Sequence, residues 1–365
     1  MKTFSGNIFI NGEFKKGYLS FSKRISGISF SKRELGSHEI ENFSDYYIVP
    51  GFIDLHTNGA NGVSFIDSCK DIDKFLSFTY SQGITTSLPT FIGTPLDRLE
   101  ELLKQLDFSR VEGIHLEGPF ISAEKAGIHK YIEPFNLSYL KRVAEIIPSH
   151  IKVLFTYAPE EVKDSRIFSF AEKNKWIFSC GHSNMGYLDT TRIIKKGVKS
   201  ATHLFNAMSG LHHRDGGIAL AFLNSKNTYI QLIPDGIHVS LEMIELIKRL
   251  KAYKQIIVVT DNLPMIGLED GNYKWGHHLV EKKGLTAFIN NRLAGSLVDT
   301  KRIFEVLQKT GFTLAEIIAM RSEVPAKLMG FKHIGSLKKG NYADFILLSK
   351  KMKIVNVFKR GEKVF

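Results

Sequence analysis

Cysteine is scarce: the 365 residues hold two, Cys69 and Cys180. They form no CxxC pair and are too few for a disulfide framework, so both are expected as buried free thiols. Long apolar runs are also missing. No stretch reaches the roughly 18 residues of a membrane helix, and the opening MKTFSGNIFI has a lysine but no apolar segment of signal-peptide length. A cytoplasmic protein with no membrane partner is therefore expected. Neither a Pro- or Ser-rich linker nor a short repeat interrupts the chain. Lys and Arg outnumber Asp and Glu by 49 to 37, a net charge of +12. The cations are scattered, as at Lys195 and Lys196 or Lys338 and Lys339, with no arginine-rich stripe or interleaved aromatics, so nucleic acid is not an expected partner.

What is present is 43% hydrophobic and 24% charged, the balance of a folded globular protein. Residues 1 to 47 alternate polar and apolar positions, broken by Gly12, Gly17, Gly27 and Gly36, the pattern of successive β-hairpins without a helix. The segment from 334 to 365 alternates in the same way, with turns at Gly335, Gly340 and Gly361. Two β-rich ends around a different middle predict one small β-sandwich domain built from both termini. Between them, from 48 to 333, apolar strands alternate with amphipathic helices such as Leu137 to Ile147, Val162 to Lys173, Leu188 to Lys196 and Leu241 to Leu250. The strands expected are Ile48 to His56, Thr85 to Thr90, Val111 to Glu117, Ile151 to Tyr157, Trp176 to Cys180, Ser200 to His203, Tyr229 to Ile233 and Ile256 to Asp261. Eight strands with intervening helices predict a (β/α)8 barrel of TIM type. A doubly wound open sheet is the alternative, but no GxGxxG turn follows the first strand.

In such a barrel the C-terminal ends of the strands carry the chemistry. VEGIHLEGPF runs as an apolar strand, ends in Glu117 and is stopped by Gly118 and Pro119. GHS closes the fifth strand with His182, and THLFNAM closes the sixth with His203. One carboxylate and two histidines suit a zinc-type ion with a position left for water. The first strand ends in His56, with Asn58 two residues on and on the same side, half of a His-x-His metal pair. The eighth ends in Asp261, placed to take a proton from water and return it to a leaving group. Each of these residues alone also has an ordinary structural reading: a loop carboxylate, a backbone-bonded histidine, a helix cap.

Taken together, PGFIDLHTNG, GITTSLPT, HLEGPF, GHS, THLFNAM, PDGIHVS, LAGS, PAKLMGF and GSLKKGNYADF resemble, in order, the amidohydrolase superfamily, and within it the N-acetylglucosamine-6-phosphate deacetylase family. The resemblance implies hydrolysis of N-acetyl-D-glucosamine 6-phosphate to D-glucosamine 6-phosphate and acetate, in amino-sugar catabolism. It implies Glu117, His182 and His203 as metal ligands, with His56 at a second metal position, Asp261 as the acid/base, and His129 in AGIH beside the substrate amide. Ile128, Asn206, Ala207, Arg214, His238, Leu293, Ala294 and Gly295 match substrate-side positions, with Arg214 and His238 near the phosphate. In the family that arginine can come from a neighbouring subunit, which implies a homodimer. Asn58 stands where a second histidine would complete a two-metal site, so one divalent ion per chain is expected, Zn2+ before Fe2+, Co2+ or Mn2+. NLPMIG after Asp261 departs from the small residues usual there and leaves the pocket wall open. Other readings are a deacetylase for N-acetylgalactosamine 6-phosphate, another amide as substrate, or a sugar-phosphate sensor without catalysis.

Overall fold

The computed structural model describes residues 1–35 and 39–365. The turn expected at Gly36 lies outside them. Eight parallel strands form one sheet in sequence order: Phe52–Thr57, Ile84–Ile92, Gly113–Glu117, Lys152–Tyr157, Ile177–Cys180, Ser200–Ala201, Tyr229–Leu232 and Ile256–Val258. The sheet closes on itself just beyond the first and last of these. Asp261 N–H donates to His56 O, Asn58 N–H to Asn262 O, both at 2.8 Å, and Thr57 bridges Asn262 in parallel. The chain is thus a (β/α)8 barrel.

Alternation along each strand sorts its side chains between two environments. On Gly113–Glu117, Ile114 and Leu116 face the apolar shell under the helices, while His115 and Glu117 turn into the barrel. The interior is layered. At the bottom Ile53, Leu55, Leu88, Leu154, Ile257 and Val259 pack against Val324, Leu328 and Met329 of the helix Glu323–Met329, which plugs the barrel. Above them lies a layer of hydroxyls around His115, and above that the carboxylates and imidazoles of the mouth.

Seven further strands from the two chain ends make a second sheet. Its sequential strands are not all hairpins: Ile40–Pro50 pairs in parallel with Lys2–Ile10, and a short 3-10 turn, Lys32–Leu35, precedes it. Gly17 and Gly27 lie inside strands rather than at turns. The sheet is rolled. Phe21 and Phe358 sit on strands four places apart, about 19 Å in a flat sheet, yet their ring centroids are 5.9 Å apart. Phe4 and Phe345 fill the same core.

Three strand expectations ran too long at the C-terminal end, the seventh by the single residue Ile233. The sixth and eighth were expected to reach His203 and Asp261, whose φ values of +30° and +51° are left-handed conformations that no strand continues; the fifth ends at Cys180 as expected, before His182 at +48°. At the other end, the stretch expected as one strand from Ile48 to His56 breaks at Gly51. A Cβ there would lie 2.1 Å from the Thr85 side chain, and residues to Pro50 belong to the terminal sheet. The helix expected from Val162 begins only at Arg166, because the Asp164 carboxylate accepts from Arg166 N–H in a local turn. Both cysteines are buried and free, and burial pushes their thiols up. Among the described residues no helix is long and apolar enough to cross a membrane.

Lys359 ties the terminal sheet to the barrel. Its Nζ lies 2.6 Å from Glu112 Oε1 and 3.2 Å from Asp344 Oδ2, in a nearly buried cluster. Burial disfavours the ammonium, but the two carboxylates outweigh it and hold its pKa up. Lys359→Ala leaves the buried Asp344 without its cation and Glu112 with only Arg360, whose guanidinium lies 3.7 Å away. It is expected to cost about 3 kcal/mol, the low end for breaking a buried pair because Glu112 keeps some water. Urea unfolding checks this as a lower midpoint at unchanged slope.

Candidate metal centre and cavity

The third strand carries Glu117 to the barrel mouth, and four imidazoles converge on its buried carboxylate. His182 Nε2 and His203 Nε2 lie 3.2 and 3.1 Å from Oε1, and 3.0 Å from each other. His56 Nε2 is 3.3 Å and His129 Nε2 3.6 Å from Oε2. The left-handed backbones at His182 and His203 aim their rings inward, a local cost of the kind found at functional sites.

Hydrogen bonds assign the protons. His182 Nδ1 lies 2.8 Å from the Lys125 carbonyl, which can only accept, so Nδ1 carries the proton and Nε2 presents a lone pair to the centre. His129 is opposite: Gly93 N–H donates to its Nδ1 at 3.2 Å, so the neutral ring carries its proton on Nε2, facing Glu117. That contact requires glycine at 93, where a Cβ would come within 2.4 Å of the Tyr131 carbonyl. Glu117, His129 and His182 offer ligand atoms within 4.8 Å of one another. The tighter triangle of Glu117, His182 and His203 is the better cradle, because His129 points a proton at it. Donor atoms in a tetrahedral zinc shell sit about 3.3 Å apart, close to the 3.0–3.2 Å here. A Glu/His/His cluster able to hold a divalent metal is therefore present, and the buried His203 Nδ1 and both His56 nitrogens make no hydrogen bond meeting ordinary criteria within the chain.

The electrostatics separate the groups. Burial alone would raise the pKa of Glu117; positive charge on His56 and a hydrogen bond from His129 hold it well below the carboxylate range. Asp261 is also lowered: burial opposes ionisation, and His56, with Nε2 3.1 Å from Oδ1, overcomes it. His56 in turn is raised well above its ordinary value despite burial, by Glu117 and Asp261. His129 is lowered by burial and by neighbouring His182, which keeps it a neutral donor.

A cavity of about 940 Å³ opens onto this centre. The expected residues Glu117, Ile128, His129, His182, His203, Asn206, Ala207, His238, Asp261, Leu293, Ala294 and Gly295 all line it. His56 lies beneath, fully buried, against His115 with ring centroids 4.4 Å apart. Arg214 is not brought in: it sits on an exposed turn outside the lining. The NLPMIG segment forms no wall. Leu263, Met265 and Ile266 are buried in the core, and Gly267 turns the chain at φ +82°.

Sequence reading missed four contributors. Lys125, Lys130 and Arg292 bring positive charge to the rim, and Arg292 lies on an antiparallel sheet, residues 271–293, inserted after the eighth strand. Its alternation around Gly276 and Gly284 was there to be read. His115, with Thr90, Thr156, Thr202 and Ser179, forms the hydroxyl layer below; burial and its neighbour His56 hold it well below the usual histidine value.

The amidohydrolase family pattern matches residues 47–364, and the chain belongs to that family. Its similarity is narrower still. Over 343 residues it is 32% identical to N-acetylglucosamine-6-phosphate deacetylase of Bos taurus, covering 87% of this chain and 83% of that one. The enzyme of the same name from Bacillus subtilis is 30% identical over 374 residues, 97% and 94% of the two chains. The crystal structure of N-acetylglucosamine-6-phosphate deacetylase from Pasteurella multocida superposes with a TM-score of 0.91 at 27% identity, over 99% of each chain.

At the cavity wall His238 Nδ1 is 2.6 Å from Asp235 Oδ2, and its Nε2 is 2.6 Å from the Ala294 carbonyl. Burial would lower its pKa, but Asp235 and that carbonyl raise it. A folded pKa above the unfolded value stabilises the fold fully below about pH 6.5 and progressively less as pH rises through the folded value. Wild type should therefore exceed Asp235→Asn in stability by more at pH 6 than at about pH 9. Thermal melts of the two proteins at both pH values check this.

Proposed function

We propose that the chain hydrolyses N-acetyl-D-glucosamine 6-phosphate to D-glucosamine 6-phosphate and acetate, in amino-sugar breakdown in the cytoplasm. The carrying observation is the joint presence in one cavity of a three-donor metal cradle, the Asp261 carboxylate and a His129 ring whose Nδ1 already accepts from Gly93. The similarity to deacetylases of that name supplies the substrate. A sensor would need none of the proton-transfer groups.

Glu117, His182 and His203 would hold one divalent ion, by donor type most readily Zn2+. Such an ion supplies a Lewis acid that polarises the amide carbonyl and makes water more acidic. Asp261 takes a proton from water as the water oxygen bonds to the carbonyl carbon. His129 donates from Nε2 to the oxygen on which negative charge develops. Asp261 then passes its proton to the amide nitrogen as the C–N bond breaks, releasing acetate and the amine. Ile128, Asn206, Ala207, Leu293, Ala294 and Gly295 shape the sugar side, and His238 supports it next to Ala294.

For the phosphate, the reading is that Arg214 reaches into the site of a second copy in a homodimer. Its exposure outside its own cavity supports this, and a guanidinium fork suits a phosphate.

Three measurements test these statements. Acetate release from a panel of N-acetylated sugar phosphates should be fastest with the gluco 6-phosphate, and Asp261→Asn should lower kcat at least about a hundredfold with KM little changed. Near wild-type kcat would make Asp261 a mere cap. Elemental analysis of dialysed protein should give close to one ion per chain, lost in His203→Ala; two firmly held ions would bring His56 in as a ligand. Arg214→Ala should weaken apparent binding about ten- to a hundredfold. Mixing it with Asp261→Asn should restore activity through mixed dimers. A loss confined to Arg292→Ala would place phosphate recognition within one chain instead.

A further inference from the structure

The barrel seam that joins the first and eighth strands sets Asn58 against Asp261. Asn58 Nδ2 donates to Asp261 Oδ1 at 2.8 Å. Two backbone hydrogen bonds frame this contact, Asp261 N–H to His56 O and Asn58 N–H to Asn262 O. Closure of the barrel therefore fixes the two side chains against each other. Asp261 itself stands in a left-handed conformation, its carbonyl held by Ser296 N–H at 2.9 Å. The amide orientation of Asn58 is dictated, since its carbonyl turned toward the carboxylate would set two acceptors face to face. His56 Nε2 approaches the same oxygen, Oδ1, at 3.1 Å. Both contacts fall on Oδ1, and among the described residues no hydrogen bond engages Oδ2. Asn58 is 2% exposed and lines the cavity, so little water competes for the bond.

We propose that Asn58 is a positioning residue: its amide locks the Asp261 carboxylate in one rotation and reserves Oδ2 for the proton that passes between water and the leaving nitrogen. Asn58 is a poor metal ligand, but its amide N–H is the right donor to a carboxylate. A second histidine at this place would bind metal; an asparagine orients the base. The inference rests on Asp261 being the proton-transfer group.

The test uses two substitutions that separate donation from packing. Asn58→Leu keeps bulk without a polar group, and Asn58→Asp keeps shape but replaces the donor with an acceptor. If Asn58 positions Asp261, both lower kcat about ten- to a hundredfold with KM within about threefold, the Asp variant at least as severely. Both keep one metal ion per chain by elemental analysis. In an Asp261→Asn background, Asn58→Leu should add less than about threefold, because the two residues act as a unit. Near wild-type kcat in Asn58→Asp, or full additivity in the double variant, overturns the inference. If wild type failed to release acetate from N-acetylglucosamine 6-phosphate, the substrate reading would fall by itself. Crystal structures of wild type and Asn58→Leu still decide the positioning role without substrate: the Asp261 carboxylate should turn in the variant, and an unchanged torsion refutes the proposal.

Discussion

A carboxylate buried at the mouth of a barrel is the constraint around which this structure is arranged. Stripping water from an isolated ion costs several kcal/mol, and Glu117 is 3% exposed. The answer is convergence: imidazoles arrive from the first, fifth and sixth strand ends and from the loop after the third. Each must come at the right height and angle. That requirement explains why the backbone turns left-handed at His182 and His203 and why Gly93 has no side chain. It also explains why the layer below is polar, since an apolar layer could not fix His115 beneath His56. A divalent metal held in the cradle would add positive charge beside the carboxylate.

The cavity above is pieced together from segments far apart in the chain. The loop carrying His129 meets the inserted sheet where Lys130 Nζ donates to the His277 carbonyl at 3.2 Å. His238, from the loop after the seventh strand, is pinned to Ala294, beyond the inserted sheet. These ties make the wall a consequence of packing rather than of any single motif.

The fold was largely legible, because strands buried on both faces announce themselves as apolar runs and helices by their period. So were Glu117, His182, His203 and Asp261, since a charged residue ending an apolar strand is conspicuous. What stayed hidden had no local signature. Thr90, Thr156 and Thr202 look like ordinary β-formers, and only the barrel brings their hydroxyls to His115. Gly51 and Gly17 look alike in sequence, yet at one the chain passes from the terminal sheet to the barrel and at the other it stays within a strand. Arg214 and Arg292 could not be ranked from sequence, since which of them faces the cavity depends on the path of loops.

The rolled sheet of the two chain ends bears on how the molecule is made. The strand Ile40–Pro50 lies between Lys2–Ile10 and Phe345–Ser349, so one of its edges waits for residues near the C-terminus. During synthesis the first strands emerge from the ribosome some three hundred residues before that partner exists. An open edge of this kind invites pairing with other chains. Here that edge stays open until Phe345–Ser349 arrives, so the newly made chain depends on its last strands to become safe from its neighbours.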